Sequence, residues 1–128
     1  MANVMIIDDD VDMVEMYQAI LKQKGHEIMI AYTAEEARET LATKRPDIVV
    51  LDVMMETVDA GFELGREIHT KFPDLPILFL SSIINEIDER TGIPNIFEVD
   101  DSWLKLIRFL DKPVKAEKLS AEIDKLLA

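Results

Sequence analysis

Asp8 and Asp9 follow the apolar run Val4-Met5-Ile6-Ile7, Asp52 follows Ile48-Val49-Val50-Leu51, and Ser81 follows Ile77-Leu78-Phe79-Leu80. Lys112 comes shortly after a weaker run near Arg108 to Leu110. Short apolar runs bounded by charged or turn residues read as strands, and near-continuous hydrophobicity means that both faces of their sheet are covered. Right-handed βαβ crossovers carry every strand C-terminus to one edge, where open α/β sheets bind their ligands. The five polar residues therefore converge on a single crevice. Three carboxylates there repel one another by about 3 kcal/mol per pair, taking ~5 Å separation and an effective dielectric of ~20. Lys112 offers one compensating charge, and a hard divalent cation supplies the two still missing. Oxygen donors with no His or Cys nearby favour Mg²⁺ over zinc. Such a site is poised to accept a phosphoryl group, because metal and ammonium neutralise its oxygens while one carboxylate attacks in line. Asp52, after the central run, stands between the acidic pair and Lys112 and is the natural nucleophile. Its product would be an acyl phosphate, a mixed anhydride able to bias a conformational equilibrium. The Ser81 hydroxyl can turn to donate to a phosphoryl oxygen.

The elements that must position these groups alternate along the chain. A further run, Glu27 to Ala31, brings the expected strands to five. Between the first two, Val11, Val14, Tyr17 and Leu21 recur at helical spacing, and Gly25 supplies a left-handed stop. Thr33 and Glu36 form a capping box ahead of Ala37 and Leu41, with Pro46 closing the segment. Leu64, Ile68 and Phe72 mark a third helix ended by Pro73. Leu119, Ile123, Leu126 and Leu127 mark a C-terminal helix after Pro113. The stretch from Ser82 to Leu106 follows neither period and is broken by Gly92, Pro94 and the acids Glu98, Asp100 and Asp101. A short helix around Asn85 to Arg90, an irregular loop and a turn of helix around Ser102 to Leu106 are expected there.

The 128 residues, 48% of them hydrophobic, suit one compact domain. No run approaches the roughly 20 apolar residues needed to span a bilayer, so no membrane insertion is expected. Without a secretory signal or any cysteine, the cytoplasm is the expected location. A net charge of −12 argues against direct nucleic acid binding, which draws its affinity from Lys and Arg facing the phosphates.

At these residues the chain resembles the response-regulator receiver family over essentially its whole length. The resemblance rests on Asp8-Asp9 after Val4-Met5-Ile6-Ile7, on Leu51-Asp52-Val53-Met54-Met55, on Pro76-Ile77-Leu78-Phe79-Leu80-Ser81 and on Phe109-Leu110-Asp111-Lys112-Pro113. Each motif alone is weak; all four in order are specific. The resemblance implies a three-layer α/β sandwich whose five-stranded parallel sheet has the flavodoxin-like order 2-1-3-4-5, with helices on both faces. It implies Asp52 as phosphoacceptor, Asp8, Asp9, Asp52 and the Met54 carbonyl as ligands of Mg²⁺, and Lys112 as phosphoryl clamp. Ser81 and Phe109 take the places of the switch pair, and the Lys112-Pro113 bond is expected to be cis. Residues 1–128 are expected to form one receiver domain without an output domain, with residues 82–106 unusually long and irregular. The implied partners are a sensor histidine kinase or histidine phosphotransfer protein and a downstream protein target; oligomeric state stays open. The chain is expected not to be a turnover enzyme, although it assists its own phosphorylation and dephosphorylation. In the family, apolar residues at the places of Met54 and Ile83 go with slow self-dephosphorylation, which predicts a long-lived phosphoryl state.

Two features depart from the family pattern. Glu56-Thr57-Val58-Asp59-Ala60-Gly61 is one residue longer than the usual loop and lacks its proline. The interval from Ser81 to Lys112 is roughly nine residues longer than usual. Plainer readings also stand beside the functional ones. The acids after the first run could cap a helix, a task Asp10 performs equally well, and Ser81 and Ser82 could cap the next. Lys112 could sit solvated in a turn, and Phe109 could be ordinary core. His26 and His69 read as surface residues, and Trp103 as either a local core anchor or an exposed docking residue. Two other functions compete. A Mg²⁺-dependent aspartyl phosphohydrolase commonly carries a second acid two residues after its nucleophile, where this chain has Met54. A phosphorylation-independent binding module of the same fold would show no Mg²⁺-dependent change in Trp103 fluorescence with beryllofluoride.

Overall fold

The computed structural model describes residues 2–53, 60–81, 103, 105–112 and 114–127. In chain order the elements are β1 (Asn3–Ile7), α1 (Val11–Gln23), β2 (Glu27–Ala31), α2 (Ala34–Leu41), β3 (Ile48–Asp52), α3 (Ala60–Lys71), β4 (Ile77–Ser81), β5 (Ile107–Asp111) and α4 (Ala116–Leu127). The strands pair in parallel in the order β2-β1-β3-β4-β5. The architecture is the expected three-layer sandwich.

Local chemistry explains where the elements start and stop. Asp10 caps α1, its carboxylate accepting from the Met13 amide at 3.2 Å, which satisfies one of the orphan donors of a helix N-terminus. Gly25 has φ 88, the left-handed turn that lets the chain reverse into β2. Thr33 accepts from the Glu36 amide at 3.1 Å and opens α2. The fifth strand extends one residue to each side of the weak run read from the sequence. Of the irregular stretch, Trp103 and residues 105–106 are described, as a turn in which the Leu106 amide donates to the Trp103 carbonyl at 2.9 Å. The expected helix at Asn85 to Arg90 lies outside the described residues.

Side chains of a strand point alternately to opposite faces, and this sorts the core into two layers. Val4, Ile6, Ile48, Val50, Leu78 and Leu80 pack under α1 and α4 against Val14, Tyr17, Leu21, Leu119 and Ile123. Met5, Ile7, Val49, Leu51, Ile77 and Phe79 pack on the other face against α2, α3 and Trp103. The residues of β3 are all buried, and each such Val, Ile or Leu contributes about 2 kcal/mol of hydrophobic stabilisation. Continuing the first row brings Asp8 after Val4 and Ile6 just past β1, Asp52 after Ile48 and Val50 at the last position of β3, and Lys112 after Leu110 just past β5. The sheet thus delivers the charged residues to the α1/α4 side.

Candidate functional site

Asp8 leaves β1 with its amide donating to the Ala31 carbonyl of β2 at 3.1 Å. Its Oδ1 accepts from the Asp10 amide at 2.9 Å, so the loop that begins α1 also fixes this carboxylate. Asp8 is buried and the neighbouring Asp9 is exposed. Asp52 ends β3 and is 5% exposed. The Val53 amide donates to Leu80 O at 2.9 Å, carrying the β4 ladder past the carboxylate. On the far side, the Gly61 amide donates to the Val53 carbonyl at 2.9 Å. A Cβ on Gly61 would overlap the Asp52 carbonyl oxygen and the Val53 backbone. The start of α3 is therefore seated directly on the strand end that bears Asp52, an approach glycine permits.

Lys112 closes the site from the other end of the chain. Its Nζ lies 2.8 Å from Asp8 Oδ2 and 3.3 Å from Asp52 Oδ2, with the lysine side chain 15% exposed. Burial works against its charge, but the hydrogen bond to Asp8 and the charges of Asp8 and Asp52 outweigh it, holding the ammonium pKa above the ordinary lysine value. Asp8, Asp9 and Asp52 each place one carboxylate oxygen within 4.8 Å of the others. Three negative charges against one ammonium leave −2 at a cluster of hard oxygen donors, which matches a Mg²⁺ ion in charge and in chemistry. These residues fit the ion, and they are the groups that would hold it.

The structure thus gathers Asp8, Asp9, Asp52 and Lys112 as the sequence predicts. Ser81 ends β4 with its backbone in register with Asp111 and one residue beyond the Asp52–Leu80 pair, at the same strand-end edge; its side chain lies outside the described residues. Met54, Ile83, the loop residues Glu56 to Asp59 and Pro113 also lie outside them. Phe109 is half-buried and stacks on Phe79, with ring centroids 4.8 Å apart and planes at 11°. Phe79 meets Trp103 edge-on at 6.3 Å, and Trp103 stacks on His69 at 4.6 Å. Trp103 is 3% exposed and is the core anchor rather than an exposed docking residue. His69 is half-buried in this ring column rather than a plain surface residue, with its Nδ1 buried. His26 lies far from the crevice, its Nδ1 accepting from the Ala2 amide at 3.3 Å.

Two residues near the site carried no functional signal in the sequence. Gly61 is one of these; a small residue in the first turn after an acid-bearing loop was its trace. The other is Tyr17, which helical periodicity assigns to the core. It is fully buried there, and its hydroxyl has no hydrogen-bond partner among the described residues. Burial first, and then the charges of Asp8, Asp52 and Asp10, raise its pKa above the usual phenol range.

Comparison with known proteins agrees with this geometry. A family profile described as "Response regulator receiver domain" matches residues 4–124. A two-component response regulator from Clostridium difficile is 25% identical with a TM-score of 0.77, over 99% of this chain and 96% of that one. NtrX from Brucella abortus, solved in complex with ATP, is 27% identical with a TM-score of 0.76, over 98% of this chain and 27% of that one. A CheY-like receiver domain protein from Methanospirillum hungatei shares the fold at 21% identity and a TM-score of 0.74, over 98% of this chain and 92% of that one. The chain spans about a quarter of the length of the NtrX protein, 27% of it.

Proposed function

This chain belongs to the response regulator receiver domain family, and from that premise we propose that it takes a phosphoryl group from a phosphohistidine onto Asp52 within a two-component or phosphorelay system. The observation that supports this most is the bridge of Lys112 between Asp8 and Asp52 in a carboxylate cluster of residual charge −2. A carboxylate oxygen of Asp52 attacks phosphorus, the P–N bond breaks, and the imidazole leaves as the acyl phosphate forms. Lys112, already charged, meets the incoming phosphoryl oxygens without a proton transfer. Asp8, Asp9 and Asp52, with the Met54 carbonyl as the family resemblance implies, would hold Mg²⁺, which would supply neutralisation of the remaining phosphoryl charge. Ser81 offers its hydroxyl to a phosphoryl oxygen, and Phe109 responds as the aromatic member of the switch pair.

The donor on this reading is a sensor histidine kinase or a histidine phosphotransfer protein, and the output is a changed surface for a protein target in the cytoplasm. Residues 1–128 act as one receiver unit that assists its own chemistry without turning over. Direct DNA binding plays no part, given the charge of −12. Among the described residues no helix is long and apolar enough to cross a membrane.

Incubation with acetyl phosphate and Mg²⁺, followed by intact-mass spectrometry, tests the proposal. One added phosphoryl group is expected, absent in Asp52→Asn. A wild-type chain that stays unmodified refutes the reading, as does a substituted chain modified equally well. Steady release of phosphate from monoesters would instead favour a phosphohydrolase.

A further inference from the structure

Tyr17 sits in the layer into which the acid cluster points. Val4, Ile6 and Asp8 lie on one face of β1, Ile48, Val50 and Asp52 on the same face of β3, and the apolar members of both rows pack in one cluster with Tyr17. Side chains on a helix lean toward its N-terminus. For α1 that end is Asp10, whose amide is bonded to Asp8. That lean favours a phenol placed on the side of α1 nearer the acid cluster. The carboxylate charges reach it, since Asp8 and Asp52 both act to raise its pKa. Yet the hydroxyl makes no hydrogen bond to any described residue. A fully buried phenol with an unmet donor is unfavourable in an otherwise apolar layer. Leucine or phenylalanine would fill the same position without that cost. A polar contact beyond direct reach is commonly bridged by water where several polar groups share a site, and here a buried phenol without a partner among the described residues shares its layer with two carboxylates whose charges reach it.

We propose that the Tyr17 hydroxyl is a positioning donor for the acid cluster, holding the Asp8 and Asp52 carboxylates through one bound water on their α1 side. The inference rests on the reading of Asp8, Asp9 and Asp52 as a Mg²⁺ site. Lys112 restrains the two carboxylates from one direction and the Asp10 amide restrains Asp8 from another. Tyr17 completes the set from the core, so that the oxygens offered to the metal stay aimed at it. Groups that orient metal-binding carboxylates from behind govern affinity without touching the ion.

Tyr17→Phe retains the ring and removes the oxygen, so it is the informative variant. Mg²⁺ affinity is measured by titration calorimetry on the full chain, and stability by urea unfolding without metal, for wild type and Tyr17→Phe. Ile123→Val, in α4 of the same layer, serves as a control for mild core loss that leaves the Mg²⁺ dissociation constant within twofold. The expected result is Mg²⁺ binding about 10-fold weaker in Tyr17→Phe, together with a lower urea midpoint. An unchanged dissociation constant, or a urea midpoint equal to or above that of wild type, overturns the proposal, since the oxygen is then an idle buried group. Wild type that fails to bind Mg²⁺ overturns the metal-site reading instead. The urea midpoint then decides alone, a fall supporting the role of Tyr17 and anything else ending it.

Discussion

Replacing Lys112 with methionine, which keeps most of the stem and removes the charge, puts the central arrangement to a quantitative test. The ammonium lies 2.8 Å from Asp8 Oδ2 and 3.3 Å from Asp52 Oδ2. With charge centres about 4 Å apart and an effective dielectric of ~20, each pair attracts by about 4 kcal/mol, against about 3 kcal/mol of repulsion between carboxylates at ~5 Å. Desolvation of the ions offsets much of this. What remains on breaking a buried pair is about 3–5 kcal/mol, because the surviving charges stay buried and uncompensated. The side chains are 15%, 2% and 6% exposed for Lys112, Asp8 and Asp52, so solvent relieves little of the penalty. Lys112→Met is expected to lose about 3 kcal/mol of stability in metal-free urea unfolding at pH 7. The charge of the cluster changes from −2 to −3, so Mg²⁺ should bind more tightly than in wild type and restore most of the lost stability. Phosphorylation by acetyl phosphate should slow at saturating Mg²⁺, since the cation proposed to meet the phosphoryl oxygens is gone. A variant within about 1 kcal/mol of wild type, or one that binds Mg²⁺ no more tightly, would refute the electrostatic reasoning.

Gly61→Ala forces a methyl group into the Asp52–Val53 backbone. It should cost about 1–3 kcal/mol, and phosphorylation should slow by more than the loss of folded protein explains, as seen by comparing mass-spectrometric rates with the folded fraction. The alkaline limb of the stability curve is a separate check. The folded-state pKa of Lys112 stands above 10.5 and that of Tyr17 above 10.0, their ordinary values. A group with a raised folded-state pKa contributes stability that is complete below its unfolded value and lost as pH rises through the folded one. Urea midpoints should therefore hold steady toward pH 10 and fall beyond it. The fall should be shallower in Lys112→Met and in Tyr17→Phe, and equal slopes in all three proteins would count against both assignments.

The sheet was legible because β1, β3 and β4 are covered on both faces, which leaves unbroken apolar runs that no other element of that length produces. Asp8, Asp52 and Lys112 could then be brought together by strand-end convergence alone, although the Lys112–Asp8 bond spans 104 residues of sequence. Asp10 and Thr33 were legible for a local reason, as short oxygen-bearing side chains before amphipathic segments. The weakness of the β5 signal has its cause in position: this strand lies at the sheet edge, where Arg108 remains exposed. Tyr17 was misweighted because periodicity counts a tyrosine as apolar and is blind to the direction of its hydroxyl. The stack of His69 on Trp103 joins α3 to the segment before β5, a non-local contact with no spacing to betray it. Likewise, the fit of Gly61 against Asp52 depends on where α3 begins in space rather than on residue type.

Strand alternation also ties manufacturing fidelity to reactivity. A one-residue slip of β3 would turn Asp52 toward the aromatic column of Phe79 and Trp103 and present an aliphatic side chain to Lys112 in its place. Copies of the chain with that error would lack both a sound interior and the carboxylate proposed as nucleophile. Loss of the acid site by this route would therefore always come with a loss of stability.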